Sequence, residues 1–326
     1  MNPRRLGARL GLALLALAGC GTTSTSTVRA TALSDSPAQP NLNACSESSV
    51  VHASVCFATG VASRTGAGSP VFGVVEVGLR CAGGPSAGTV LLALDGGVVN
   101  ACSGSRDSPL QLAVVGSPLG GGLEGLAQLS EVENRSAFSY GHAPILTAPF
   151  DLGEVPTSIL ERLSASQQVR GSHVRRPRPL TQWHVGDRLG TPERGLSVEA
   201  VAVVGASLVV RLDVAGASLL STGGADLGEL DALVERHCRG SACDAFSSDI
   251  LVVTTVCAPV PARLVAAVSP EVVVLFQVDG GCAETAAAAA RLREAGLRVV
   301  VAGRTERASV EIEGGEVVVD GSFGTP

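Results

Sequence analysis

Residues 110–129 read LQLAVVGSPLGGGLEGLAQL, and how this stretch is parsed decides the fold. Leu112, Ala113, Val114 and Val115 make a short, continuous apolar run, the pattern of a strand covered on both faces. Ser117 and Pro118 break the run, three glycines at 120–122 open a loop, and Leu123, Leu126 and Leu129 then recur at helical spacing. The order is strand, glycine-rich turn, amphipathic helix. Two familiar uses of such a turn are excluded. It is not a phosphate loop, because no lysine follows the glycines and the chain contains none. It is not a serine-hydrolase elbow either, because Ser117 lacks the flanking glycine pattern and an evident histidine base.

Moving outward, residues 71–78 and 89–101 give two strand signals, the second expected as a hairpin turned at Asp95-Gly96-Gly97. Residues 130–195 are weakly periodic and proline-bearing, so a loop-rich insertion around a short helix near Ser158–Ser164 is expected there. Regularity returns with strands at Leu196–Val203, Ser207–Val214 and Ala217–Ser221, then a helix lined by Leu227, Leu230, Leu233 and Val234. Further strands are expected at Asp249–Thr254, Glu271–Val278 and Arg298–Ala302. They alternate with helices at Ala262–Val268 and Thr285–Ala295, and ASVEIEGGEVVVDG closes the chain as a hairpin. Strands dominate and helices interleave, which predicts an α/β chain with helices on the outer faces of two packed sheets.

The start of the chain has a different character. MNPRRLGARLGLALLALAGC has a basic start, an apolar stretch too short to span a bilayer, and small residues before Cys20. It resembles a bacterial lipoprotein signal. The resemblance implies cleavage after residue 19, lipid on Cys20 and a domain outside the cytoplasm, in the cell envelope, with the outer membrane favoured. Loss of Arg4, Arg5 and Arg9 with the leader takes the formal charge from −6 to −9, which disfavours nucleic acid as a partner. Residues 20–44 are rich in Ser, Thr and Pro and read as a flexible tether, leaving 45–326 as the folded domain. The membrane is thus the expected partner, through the anchor. No protein partner or envelope ligand can be named from the residues.

Eight further cysteines stand at 45, 56, 81, 102, 238, 243, 257 and 282, an even number that favours disulfides in an exported protein. Pairing in chain order is the plausible connectivity: Cys45–Cys56, Cys81–Cys102, Cys238–Cys243 and Cys257–Cys282. Structural zinc is disfavoured because no C-x-x-C occurs, CRGSAC being the nearest approach.

Taken in order, the phrases GDRLGTPERGLSVEAVAVV, ASLVVRLDVAGASLLSTGGA, SDILVVTTVCAPVPARLVAAVSPEVVVLFQV and AARLREAGLRVVVAGR resemble the metallo-β-lactamase-like domain of competence DNA-uptake channel proteins. The resemblance spans most of residues 71–320 and implies a four-layer αββα sandwich. It also implies a metal site, and that site is degenerate here. Where the family carries His-x-His-x-Asp-His, this chain has Ser117, Leu119, Gly121 and Gly122 at the ligand positions. Asp-Val-Gly-Gln-Gly-Asp becomes Glu76, Val77, Gly78, Leu79, Arg80, Cys81, and Asp-Ala-Gly becomes Asn100, Ala101, Cys102. The bridging aspartate falls on Gly224, and the His-His-Gly loop falls on Thr255, Val256, Cys257. The resemblance further places Cys81 and Cys102 in active-site loops at one end of the sandwich, as it does Cys257 and Cys282, so that bridges would stand where metal tied these loops.

The expectation is a non-catalytic lipoprotein that uses the sandwich as a binding or structural module, with no cofactor and no catalytic residue. The alternative is a metal-dependent phosphodiesterase or esterase with a relocated site. The residues available for relocation are few. His52, His142, His173, His184 and His237 are isolated in sequence, with His142 and His173 expected in loops, and Arg175, Arg176 and Arg178 form one basic loop cluster.

Overall fold

A computed structural model of the chain describes residues 45, 49–61, 71–84, 86–93, 110–118, 123, 145–159, 165–169, 172–176, 180–238, 243–253, 259–276, 283–303 and 308–320. The first half builds β1 (Val50–Val61), β2 (Val71–Cys81), β3 (Ser86–Ala93), β4 (Leu110–Val115) and β5 (Ile145–Thr147). Next come a hairpin of β6 (Ala165–Val169) and β7 (Ser172–Arg176), then β8 (Leu180–Gln182) and β9 (Arg188–Thr191). The second half runs β10 (Leu196–Val204), β11 (Ser207–Val214), β12 (Ala217–Ser221), α1 (Leu227–His237), β13 (Ile250–Val253) and α2 (Ala262–Val268). It ends with β14 (Val272–Phe276), α3 (Ala283–Glu294), β15 (Arg298–Ala302), β16 (Ala308–Glu313) and β17 (Glu316–Asp320).

Two large sheets result. One has eight strands in the order β17-β16-β1-β2-β3-β4-β5-β8, the other seven in the order β15-β14-β13-β12-β11-β10-β9. Their facing surfaces carry the alternate residues of each strand: Ala53, Val55 and Phe57 from β1 and Val75, Val77 and Leu79 from β2 on one side. Leu208, Val210, Leu212 and Val214 from β11 and Ile250 and Val252 from β13 stand on the other, all buried. A period of two with β-branched residues on the inner face is what places these segments in a sandwich core. Aromatics are scarce, and Phe57 and Phe276 meet edge to face at 6.5 Å between the sheets.

The outer face of the seven-stranded sheet is apolar too, because helices cover it. A register shift at Ala200–Ala202 lets β10 face the inner core with Val198 and Ala200 and the helices with Val201, Ala202 and Val204. Helix α1 lays Leu227, Leu230 and Val234 on this face, and Asp226 caps it by accepting the Glu229 N–H at 2.9 Å. Arg263 of α2 bridges to Asp231 and Glu235 of α1. The chain is an α/β sandwich of the expected class. The helix expected at 123–129 is described only at Leu123, which is helical and buried.

Two readings of local structure change. The stretch 130–195 holds β5 to β9 in addition to a helical turn at 157–159; β5 and β8 extend the first sheet and β9 the second. These strands are three to five residues long, too short for alternation to declare them. Second, β3 pairs antiparallel with β2 and parallel with β4, so its partner is the long preceding strand. The expected turn at 95–97 and the strand beyond it lie outside the described residues.

The disulfides correct the chain-order pairing. Cys45 bonds to Cys81 with Cα atoms 5.7 Å apart, and Cys56 is also disulfide-bonded, so Cys45–Cys56 and Cys81–Cys102 do not form. The cause is β1. Val50 and Cys56 lie on one extended strand, about 20 Å apart at the usual rise per residue, far beyond disulfide reach. The antiparallel register instead sets Val50 against Cys81, which brings Cys45 to the end of β2. Cys238–Cys243 forms as expected, with Cα atoms 5.0 Å apart. Cys20, Cys102, Cys257 and Cys282 lie outside the described residues.

Candidate functional site

Strands β3, β4, β5 and β8 run parallel, as do β12, β13, β14 and β15. The carboxyl ends of both groups lie at the same pole. Gly116, after β4, sits against Gly223, after β12, and Gly73, at the start of β2, sits against Phe276 at the end of β14. Strand ends of this kind are where α/β folds gather ligands. The sequence-derived positions Ser117 and Gly224 belong to this pole.

Among the described residues, the contact between the ends of β4 and β12 is made by backbone. A β-carbon on Gly116 would lie 2.5 Å from Gly223 Cα and 2.7 Å from the Gly223 carbonyl oxygen. Gly223 has φ of +61°, and a β-carbon there would run into the Leu208 carbonyl oxygen. The Leu208 N–H donates to the Gly116 carbonyl at 2.7 Å, which ties the end of β4 to the start of β11 across the sandwich. The Thr222 N–H donates to Val252 O at 3.1 Å, the Ala225 N–H to Thr222 O at 3.0 Å, and the Gly223 N–H to Ser221 Oγ at 3.3 Å. The turn after β12 is thus held by one bond to β13 and two within itself.

These residues do not fit a catalytic divalent metal. Zinc and manganese chemistry needs three or more imidazole, carboxylate or thiolate donors around an open position. Ser117 offers a half-buried hydroxyl and Gly224 no side chain, and the Gly116–Gly223 contact closes the gap between their loops. Leu119, Gly121, Gly122, Asn100, Ala101, Thr255, Val256 and Cys257 lie outside the described residues.

Cys81 and Arg80 are not at this pole. Cys81 ends β2 beside Ser86, the beginning of β3, and β3 runs away from there towards the carboxyl-end pole. The placement of Cys81 in an active-site loop is thereby overturned: a strand antiparallel to β3 delivers its own carboxyl end to the opposite pole. The Cys45–Cys81 bridge consequently joins the residues before β1 to the end of β2, away from the strand-end pole.

The histidines are dispersed. His52 Nε2 lies 3.1 Å from Glu311 Oε2, and Ser54 Oγ donates to Glu311 Oε1 at 2.7 Å on the outer face of β1 and β16. His184 faces Asp187 at 3.7 Å in an exposed turn, and His237 ends α1. His173, Arg175 and Arg176, expected in a loop, are in β7, paired with β6; His142 and Arg178 lie outside the described residues. Among the described residues no group of three His, Cys, Asp or Glu is gathered to hold a metal ion.

The opposite pole carries charges that sequence reading passed over. Arg211 Nε donates to Asp213 Oδ1 at 2.9 Å and its Nη1 to the Asp244 carbonyl at 3.1 Å, while Ser197 Oγ donates to Asp213 Oδ2 at 2.9 Å. Asp249 Oδ2 accepts from both the N–H and Oγ of Ser218, at 2.7 and 2.8 Å. Arg188 is hydrogen-bonded to Glu199; that bond first, and the charge of Glu199 second, raise its pKa above the ordinary arginine value. The available signal was the alternation in β11, where Leu212 and Val214 face the inter-sheet core and Arg211 and Asp213 take the opposite face.

No protein-family model matches the sequence, and no curated protein matches it. Among solved structures the chain is similar to the metallo-beta-lactamase fold protein YhfI from Bacillus subtilis, with a TM-score of 0.45 and 9% identity over 83% of this chain and 100% of that one. It is also similar to a diphosphatase from the PhnP family, with a TM-score of 0.43 and 10% identity over 80% of this chain and 99% of that one.

Proposed function

We propose that the chain is a non-catalytic, lipid-anchored protein of the bacterial envelope, in which a metallo-β-lactamase-like sandwich serves as a binding or structural module. One observation carries the reading. At the pole of the parallel strand ends, Gly116 and Gly223 meet backbone to backbone, and the residues that follow them are Ser117 and Gly224. A metal-activated water needs an ion held by several donors above an open coordination site, and the described residues of this surface supply neither. The anchor rests on the leader and its Cys20. Among the described residues no helix is long and apolar enough to cross a membrane. Two or more acyl chains on Cys20 would hold the protein stably at a bilayer.

Two measurements test this. Assayed with a phosphodiester and an ester chromogenic substrate in zinc or manganese buffer, the purified chain is expected to show no chelator-sensitive turnover. Such turnover would establish the relocated-site hydrolase instead. Cys20→Ala is expected to move the protein from the membrane to the soluble fraction, and retention after a high-salt wash would refute the anchor.

A further inference from the structure

The face of the seven-stranded sheet that α1 to α3 cover is apolar, except where β9 to β12 approach the pole opposite the strand ends. There a cleft of about 420 Å³ opens, within the range of small-molecule sites. Arg188, Arg211, Asp213, Ser218 and Asp249 line it. Gly216, with φ of +89°, forms part of its wall as bare backbone.

Three physical points favour a ligand. Half-buried ionic groups around a hollow stabilise a fold less than apolar filling of the same space, so this network has no advantage as packing. The groups are also held in place. Both Asp213 oxygens, one Asp249 oxygen and the Arg211 Nε and Nη1 are fixed by the hydrogen bonds described above, and the Arg188 guanidinium by Glu199. Sites that bind small polar molecules need such preorganisation. Finally, two guanidinium groups and two carboxylates line the cleft, with Glu199 as a third carboxylate paired to Arg188. A simple anion meets carboxylates there, and a simple cation meets guanidinium groups. A molecule bearing both signs can satisfy both walls.

We propose that this cleft binds a small zwitterion, its anionic group set between Arg188 and Arg211 and its ammonium against Asp249. That chemistry is shared by free amino acids and by the phosphoethanolamine headgroup of lipids. The inference deepens the binding-module reading, yet fails separately from it: retained metal would sink that reading and leave this cleft untouched.

The test is isothermal titration calorimetry on the full chain with L-alanine and with phosphoethanolamine. Acetate, inorganic phosphate and ethylamine serve as single-charge controls, and phosphatidylethanolamine vesicles as the lipid arm. At least one zwitterion is expected to saturate a single site at least tenfold more tightly than any control. A preference for alanine identifies a soluble ligand, and binding of both phosphoethanolamine and the vesicles identifies a headgroup. Arg188→Ala and Asp249→Asn should each weaken binding tenfold or more. Arg188 is half-exposed, so its variant keeps the test valid if Asp249→Asn folds poorly. The absence of saturable heat from both zwitterions, a control that binds equally well, or binding unchanged in Arg188→Ala would each overturn the proposal.

Discussion

The two poles of the sandwich are built in opposite ways. At the carboxyl-end pole, Gly116 and Gly223 bring two loops into backbone contact, and a hydrogen bond from Leu208 crosses between the sheets. At the other pole, Cys45 is bonded to Cys81, and Arg188, Arg211, Asp213 and Asp249 stand around an open cleft. Glycine serves both poles, with different effects. Gly223 lets the loop after β12 meet Gly116 and the Leu208 carbonyl, whereas Gly216, in the wall of the cleft, lets the β11–β12 turn meet the backbone of Gly315. Among the described residues, the backbone contact falls at the pole that α/β folds ordinarily use for chemistry.

The largest expected effect comes from reopening that contact. Gly223→Val places a side chain at positive φ against the Leu208 carbonyl and should cost about 4 kcal/mol or more in urea unfolding. Gly205, with φ of +57°, has nothing within 4 Å of a would-be β-carbon, so Gly205→Ala should cost only the conformational term of about 1 kcal/mol. Equal losses at the two sites would show that the strand-end pole does not hold a packed contact.

The disulfides come next and sharpen the picture of the opposite pole. Cys45–Cys81 closes a loop of 36 residues, and chain entropy alone assigns it about 4 kcal/mol. Cys238–Cys243 closes only five and should contribute about 2 kcal/mol. Paired Cys→Ser variants, compared by midpoint of denaturation, check the order, and a larger loss from Cys238–Cys243 would break it. Peptide mapping without reduction should recover Cys45 linked to Cys81.

The smallest effect belongs to the charged cleft. Arg188→Ala removes a half-exposed ion pair with Glu199 and should change stability by less than about 1 kcal/mol. A loss as large as that of Gly223→Val would mean that the cleft charges hold the fold together and are not a preformed site.

The fold was largely legible, and the reason is periodicity. The strands at Ser207–Val214, Ala217–Ser221 and Arg298–Ala302 and the helix at Ala262–Val268 have the expected bounds, because alternation sets their faces and Pro261, Gly216 and Gly296 mark their ends. The features of the two poles were less so. Cys45 pairs with Cys81 because of the β1–β2 register, and the antiparallel pairing of β2 with β3 carries Cys81 away from the strand-end pole. The contact of Gly116 with Gly223 joins turns far apart in the chain, and a glycine in a turn looks the same in sequence whether it faces solvent or another backbone. Arg211 and Asp213 alternate with core residues in β11, and only the sheet order shows that β10 and β12 flank them.

Elemental analysis of the purified chain, after exchange into buffer containing zinc or manganese and removal of unbound ion, bears most directly on the strand-end pole. The account predicts no stoichiometric metal. One equivalent retained per chain, lost together with nuclease or esterase activity on chelation, would contradict it.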